Sequence, residues 1–276
     1  MTPLVAIAAT VMGIVLGTLG GGGSILSVPI LVYLVGIDEK SAIATSLLIV
    51  GVTSAVAALA HARSGNVIWK TGLIFGAFAM VGSAGGGWIA QFIDGSVLLT
   101  LFAAFMIVTA VMMFRGKKKN VKPVSAGPIW KVGIEGIAVG AFTGLVGAGG
   151  GFLVVPALVL LGGLEMRKAI GTSLLVIAMK SLSGVAMFAT HVTIDYTMAA
   201  IFAGLAIVGT LIGKQIAQRV NATKLRTYFA GFVLLMGLVV ISQQLSIDGW
   251  IASIIGIGIV GFTILKSTRL RTEESI

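Results

Sequence analysis

"LGTLGGGGSILSVPIL", residues 16–31, returns 127 positions later as "TGLVGAGGGFLVVPAL", residues 143–158. Extending the pair to Gly13–Val50 over Gly140–Ile177 keeps the register without a gap and gives 18 identities in 38 positions, a density chance does not produce. The matches include Gly17/Gly144, Gly20/Gly147, Gly22/Gly149, Gly23/Gly150, Pro29/Pro156, Thr45/Thr172 and Ser46/Ser173. The same offset goes on to pair Gly82 with Gly209, Gln91 with Gln218 and Phe102 with Phe229, so the repeat takes in most of each half. The reading is a first repeat at 1–114, a basic, proline-containing linker at 115–130, a second repeat at 131–243 and an extra span with its tail at 244–276.

The surroundings of the glycines are those of a membrane protein. Of 276 residues 57% are hydrophobic and only 10% charged, with a mean hydropathy of +1.10, too little polar surface to cover a soluble globule. Apolar runs long enough to cross a bilayer recur at Ala42–Leu59, Val67–Phe92, Val97–Phe114, Ala169–Ala189, Tyr196–Ile212, Leu225–Ile241 and Gly249–Leu265. The N-terminal apolar run has no basic segment before it and merges into the glycines, so it reads as mature protein and not as a signal peptide. The absence of cysteine excludes disulfides and thiolate chemistry. The net charge of +10 sits in short loops, where it sets membrane orientation; nucleic acid is not an expected partner.

Counting those charges orients the chain. With Arg115, Lys117, Lys118, Lys119, Lys122 and Lys131 placed in the cytoplasm, alternate loops put 17 of the 19 Lys/Arg on that side, leaving Lys40 outside and Lys180 inside a span. Lys131 and Arg167 then both lie inside although a mostly apolar stretch separates them, and the matching stretch Thr2–Gly36 starts and ends outside. Roughly 17 residues before the glycines and 13 after them give about 25 and 20 Å of helix, both short of a full crossing. Each glycine run is therefore the tip of a re-entrant or short helical hairpin. The expected fold is an all-α polytopic membrane protein of two inverted repeats, each a hairpin plus three transmembrane helices, with one extra C-terminal span.

A helix beginning near Ser24 or Gly151 presents free backbone N–H groups within the bilayer, an arrangement that attracts an anion. Two such ends facing each other from inverted repeats make a small oxyanion the natural ligand. The expected binding residues are Gly20, Gly21, Gly22, Gly23 and Ser24 of the first tip, and Gly147, Ala148, Gly149, Gly150 and Gly151 of the second. Thr45/Ser46 and Thr172/Ser173 supply hydroxyls, and Lys180 a cation near the middle of its span, seven positions after Ser173 and matched by Thr53 in the first half. Competing structural readings are close helix packing for the glycines, kinks for Pro29 and Pro156, interhelical bonding for the hydroxyls, and an ion pair with Glu135 for Lys180. His61 and His191 do not superpose under the offset and read as interfacial caps; Gln91 and Gln218 superpose and read as structural hydrogen-bonding residues. No lysine follows the glycines as a nucleotide loop requires, and no set of acids, bases or metal ligands clusters, so neither catalysis nor a cofactor is expected.

The doubled glycine motif, each copy followed by "TSL" (Thr45–Leu47 and Thr172–Leu174), resembles the sulfite exporter TauE/SafE family of membrane transporters, also called TSUP transporters. The resemblance covers almost the whole chain. It implies an inner-membrane transporter of small sulfur-containing anions, with sulfite, sulfonates and thiosulfate as candidates. It leaves room for a proton or sodium coupling ion and for a homodimer. The sequence departs from a perfect doubling at one telling place: Ser24 stands where the second motif has Gly151.

Overall fold

The computed structural model describes residues 2–90, 92–115, 129–146, 150–188 and 194–244, which are helical with no strand among them. In the first half α1 (Pro3–Leu19) and α2 (Gly23–Pro29) flank the glycine turn, and α3 (Glu39–Ala62), α4 (Trp69–Ala90) and α5 (Gly95–Arg115) follow. The second half repeats the order as α6 (Ile129–Val146), α7 (Val154–Leu160), α8 (Met166–Phe188), α9 (Tyr196–Arg219) and α10 (Ala222–Gln244). Six helices, α3, α4, α5, α8, α9 and α10, contain stretches long and apolar enough to cross a membrane. The seventh expected span, Gly249–Leu265, and most of the linker lie outside the described residues.

Local chemistry sets the helix ends. α3 and α9 start where Asp38 and Asp195 cap them, in α3 three residues before the apolar run: the carboxylates accept from the N–H groups of Ser41 (3.1 Å) and Met198 (2.9 Å). α1 opens on Pro3, whose missing N–H costs nothing at that position, and stops at Gly20. Gly20 has φ 77°, a conformation closed to most side chains, and its N–H bonds to Leu16 O. After Pro29 the chain widens into a π-helical turn, Ile30–Val35. The second hairpin differs: its arm enters through a 3-10 turn, Gly150–Leu153, before α7, which places Pro156 in the first turn of that helix, where a proline is tolerated. Both arms close alike, with Ile37 N bonding Leu31 O and Leu164 N bonding Leu158 O across the left-handed glycines Gly36 and Gly163.

The chain divides into two compact units, each drawn from both halves. The larger holds α1–α4 and α6–α9; in it α1 runs along α9, α6 along α4, and α3 meets α8. Shifting by 127 residues turns α1 into α6 and α4 into α9, so the two long pairings are the same pairing made twice. The contacts match atom for atom. Gly13 and Gly17 lie on the carbonyls of Ala206 and Thr210, and Gly140 and Gly144 on those of Ala79 and Ser83, so close that a Cβ at any of the four would overlap the carbonyl. Thr210 Oγ1 donates to Gly13 O at 3.1 Å across the first seam. The smaller unit holds α5 and α10, where Gly237 admits the Met106 side chain.

In the larger unit, Arg167 at the start of α8 donates to the carbonyls of Gln218 and Val220 at the end of α9, and Gln218 donates to Ser64 just past α3. Asp38 and Asp195 lie at the opposite ends of α3 and α9, where they line a common cleft.

Candidate functional site

The first glycine turn meets the start of the second hairpin's returning arm. Gly21 faces Gly151 and Phe152: a Cβ on it would stand 2.5 Å from Gly151 O and 2.6 Å from Phe152 N. Gly20 faces α8, where the same construction falls 2.8 Å from Ser173 Oγ. Gly22 and Gly23 are buried, with Gly23 on Leu16. Ser24 donates to Gly21 O at 2.7 Å, and its Oγ lies 2.9 Å from where a Cβ on Gly151 would be. Positions 24 and 151 correspond under the repeat and come together, so only one of them has room for a side chain. The difference between Ser24 and Gly151 thus has a steric cause.

Around the turns the hydroxyls form a short chain. Ser27 donates to Ser24 O at 2.8 Å and lies 2.5 Å from Ser46 Oγ, while Ser173 donates to Ile170 O at 2.8 Å. Gly20–Ser24, Ser46, Gly151 and Ser173 therefore lie near one another, all buried except the partly exposed Gly151. Gly150 begins the 3-10 turn; Gly147, Ala148 and Gly149 lie outside the described residues.

The two threonines go elsewhere, and to opposite ends. Thr45 lines the cleft of about 500 Å³ formed with Val35, Ile37, Asp38, Ser41, Ile194, Asp195 and Met198. Here the Ser41 hydroxyl and backbone N–H hold the Asp38 carboxyl below its ordinary pKa of 3.8. Thr172 instead accepts a hydrogen bond from Ile68 N at 3.0 Å.

Lys180 does not pair with Glu135. Its ammonium donates to Thr143 Oγ1 on α6, two turns and about 12 Å along that helix from Glu135. The equivalent of Lys180, Thr53, is fully buried and its hydroxyl has no partner among the described residues, as is true of Ser54 beside it. The cation is thus confined to one side of the repeat and satisfied by a neutral hydroxyl.

His61 also departs from expectation. It lies near the end of α3, but its ring is buried and its Nε2–H donates to Gly17 O at 3.2 Å, within the last turn of α1. The α1 helix breaks at Gly20, which leaves such late carbonyls without helical donors, and the imidazole supplies one. His191 and Gln91 lie outside the described residues.

Reading the sequence by its symmetry passed over Ser27, Phe152 and Thr143. Their counterparts are Val154, Ile25 and Leu16, so the identities that revealed the repeat could not mark them.

A doubled helical bundle with broken, glycine-tipped helices packed at its centre defines the class: a multi-pass membrane transporter. The sequence profile of the family described as "Sulfite exporter TauE/SafE" matches residues 5–240, and the chain belongs to that family. A probable membrane transporter protein of Xylella fastidiosa (strain Temecula1 / ATCC 700964) is 35% identical over 218 residues, covering 77% of this chain and 84% of the relative. The probable membrane transporter protein YdhB of Bacillus subtilis is 29% identical over 78% of this chain and 89% of its own length. One from Methanocaldococcus jannaschii is 29% identical over 86% and 94%. No solved structure matches the chain.

Proposed function

We propose that the protein is a secondary transporter that exports a small sulfur-containing oxyanion, of the sulfite, sulfonate or thiosulfate class, by alternating access. The observation that carries this reading is the meeting of the first glycine turn with the start of the second returning arm, Gly21 against Gly151 and Phe152, near the hydroxyls of Ser24, Ser27, Ser46 and Ser173. Backbone N–H groups at the start of a helical arm, adjustable hydroxyls and glycines that admit close approach are the groups that bind an oxyanion. The hydroxyl protons now rest on carbonyls and on one another; rotating them toward a ligand requires no backbone change. Lys180, which donates to Thr143, supplies the counter-charge.

In this reading the repeats are inverted in the inner membrane, with 115–130 and the C-terminus cytoplasmic and the N-terminus outside. Alternating access in this reading moves one half against the other about the turns. A proton or sodium ion is the coupling partner and a homodimer the assembled form. The test is a binding screen of sulfite, thiosulfate, sulfate, taurine, sulfoacetate and lactate on purified protein, followed by flux in proteoliposomes. Saturable, counter-ion-dependent flux of a sulfur oxyanion supports the proposal. Unsaturated conductance of oxyanions or carboxylates replaces it with an anion channel, and binding of lactate alone removes the sulfur class.

A further inference from the structure

The two ends of the larger unit are built from corresponding residues and yet differ. At one end Asn66–Ile68, the segment leading into α4, lies on α8: Ile68 N donates to Thr172 Oγ1 at 3.0 Å, and Gly171 is so close to Asn66 O that a Cβ there would overlap it. Shifted by 127 residues, Ile68 becomes Asp195, Thr172 becomes Thr45 and Gly171 becomes Ala44. At that end Thr45 and Asp195 both line the open cleft of about 500 Å³, and Ala44 carries the methyl group for which Gly171 has no room. One hydroxyl is held under the Asn66–Ile68 backbone; its counterpart, itself only 1% exposed, lies in the wall of the cleft.

We propose that Asn66–Ile68 is a latch closing the mouth of the transport path at the α4/α8 end, bonded by Thr172 and seated on Gly171. The cleft at Thr45 is the opposite mouth, which Ala44 keeps from being sealed in the same way. This rests on the transporter reading above and adds to it an inequality of the two mouths written into the sequence. A glycine in mid-helix lowers helix stability by roughly 1 kcal/mol relative to alanine, so its presence at 171 has a use in the close seating.

Because the chain has no cysteine, single cysteines report access cleanly. Met198→Cys, on the partly exposed wall of the cleft, and Ser173→Cys would each be treated with a water-soluble maleimide in purified, full-length protein, with melting temperature and gel filtration to establish folding. Met198→Cys is expected to react rapidly and Ser173→Cys slowly. Adding Thr172→Val, which keeps the shape but removes the acceptor, or Gly171→Ala, which lifts the segment, should speed labelling at Ser173→Cys by about tenfold, the order expected when one hydrogen bond no longer holds a segment down. Ala44→Gly should leave it unchanged. Equal rates at the two cysteines, or no acceleration by either latch variant in folded protein, overturns the latch. Labelling needs no substrate, so a failed anion screen and a failed latch are separate results.

Discussion

Ser24 and Gly151 hold equivalent places in the two halves and face each other, with Ser24 Oγ 2.9 Å from the position a Cβ on Gly151 would take. Gly151→Ser should therefore lower stability by about 1–3 kcal/mol through overpacking. Moving the hydroxyl across, Ser24→Gly with Gly151→Ser, should recover most of that loss. Thermal unfolding of the two variants in one detergent checks this, and a double variant no better than the single one refutes the steric account.

The doubled helix seam makes a quantitative demand. In Gly17→Ala and Gly144→Ala the new methyl runs into the carbonyl of Thr210 or Ser83 in the same geometry, so the melting temperatures should fall together. A shared loss of about 1–3 kcal/mol is expected for such overpacking. Gly204, in mid-helix with no atom within 4 Å of an added Cβ, is the control. Gly204→Ala should be neutral or stabilising by up to about 1 kcal/mol.

Lys180→Met removes the ammonium and keeps the length of the side chain. Replacing a buried ionic group by an apolar one of similar volume is often neutral or stabilising, so the melting temperature should hold. Affinity for the bound oxyanion, read by calorimetry, should fall about tenfold or more, the size of one lost charge-assisted hydrogen bond. An unchanged affinity with a lower melting temperature would assign Lys180 to the scaffold.

Asp38 gives a pH dependence whose sign is fixed. Its carboxyl sits below its ordinary pKa of 3.8 because the Ser41 hydroxyl and N–H bond its charged form. The folded state thus binds that proton less readily than the unfolded one, and the stabilisation is present above pH 3.8 and fades as pH falls through the folded value. Asp38→Asn should flatten the decline in melting temperature between roughly pH 5 and 3, with Asp38 kept in the parent as reference.

Orientation is tested by two cysteines, Asp38→Cys and Arg167→Cys, labelled in intact cells by an impermeant reagent. Asp38→Cys should react from outside and Arg167→Cys only after lysis. Reaction of both from one side would remove the inversion of the repeats.

Much of the fold could be read in advance because helices in lipid have to be apolar along their whole length, and six of the expected spans are helices long enough to cross a membrane. The glycine turns were legible for another reason: a break in an apolar helix that recurs at a fixed offset has no cause in lipid solubility. What escaped was whatever breaks the symmetry. Ser27, Thr143 and the Thr172–Ile68 bond lie where the halves differ, and an argument from likeness passes over difference. Lys180 was conspicuous as a charge, but its partner was not, since threonine at 143 matches leucine at 16 and the structural alternative to an anion-binding role named only an acid, Glu135.

The exchange of partners, α1 with α9 and α6 with α4, bears on whether such a chain can be divided. Each half offers a notch that only the other half fills, so a half made alone would turn bare backbone carbonyls toward acyl chains. A chain carrying one copy alone would need a second molecule to serve as its other half. Cut at the linker and expressed together, the two pieces should find each other again; expressed singly, neither should accumulate.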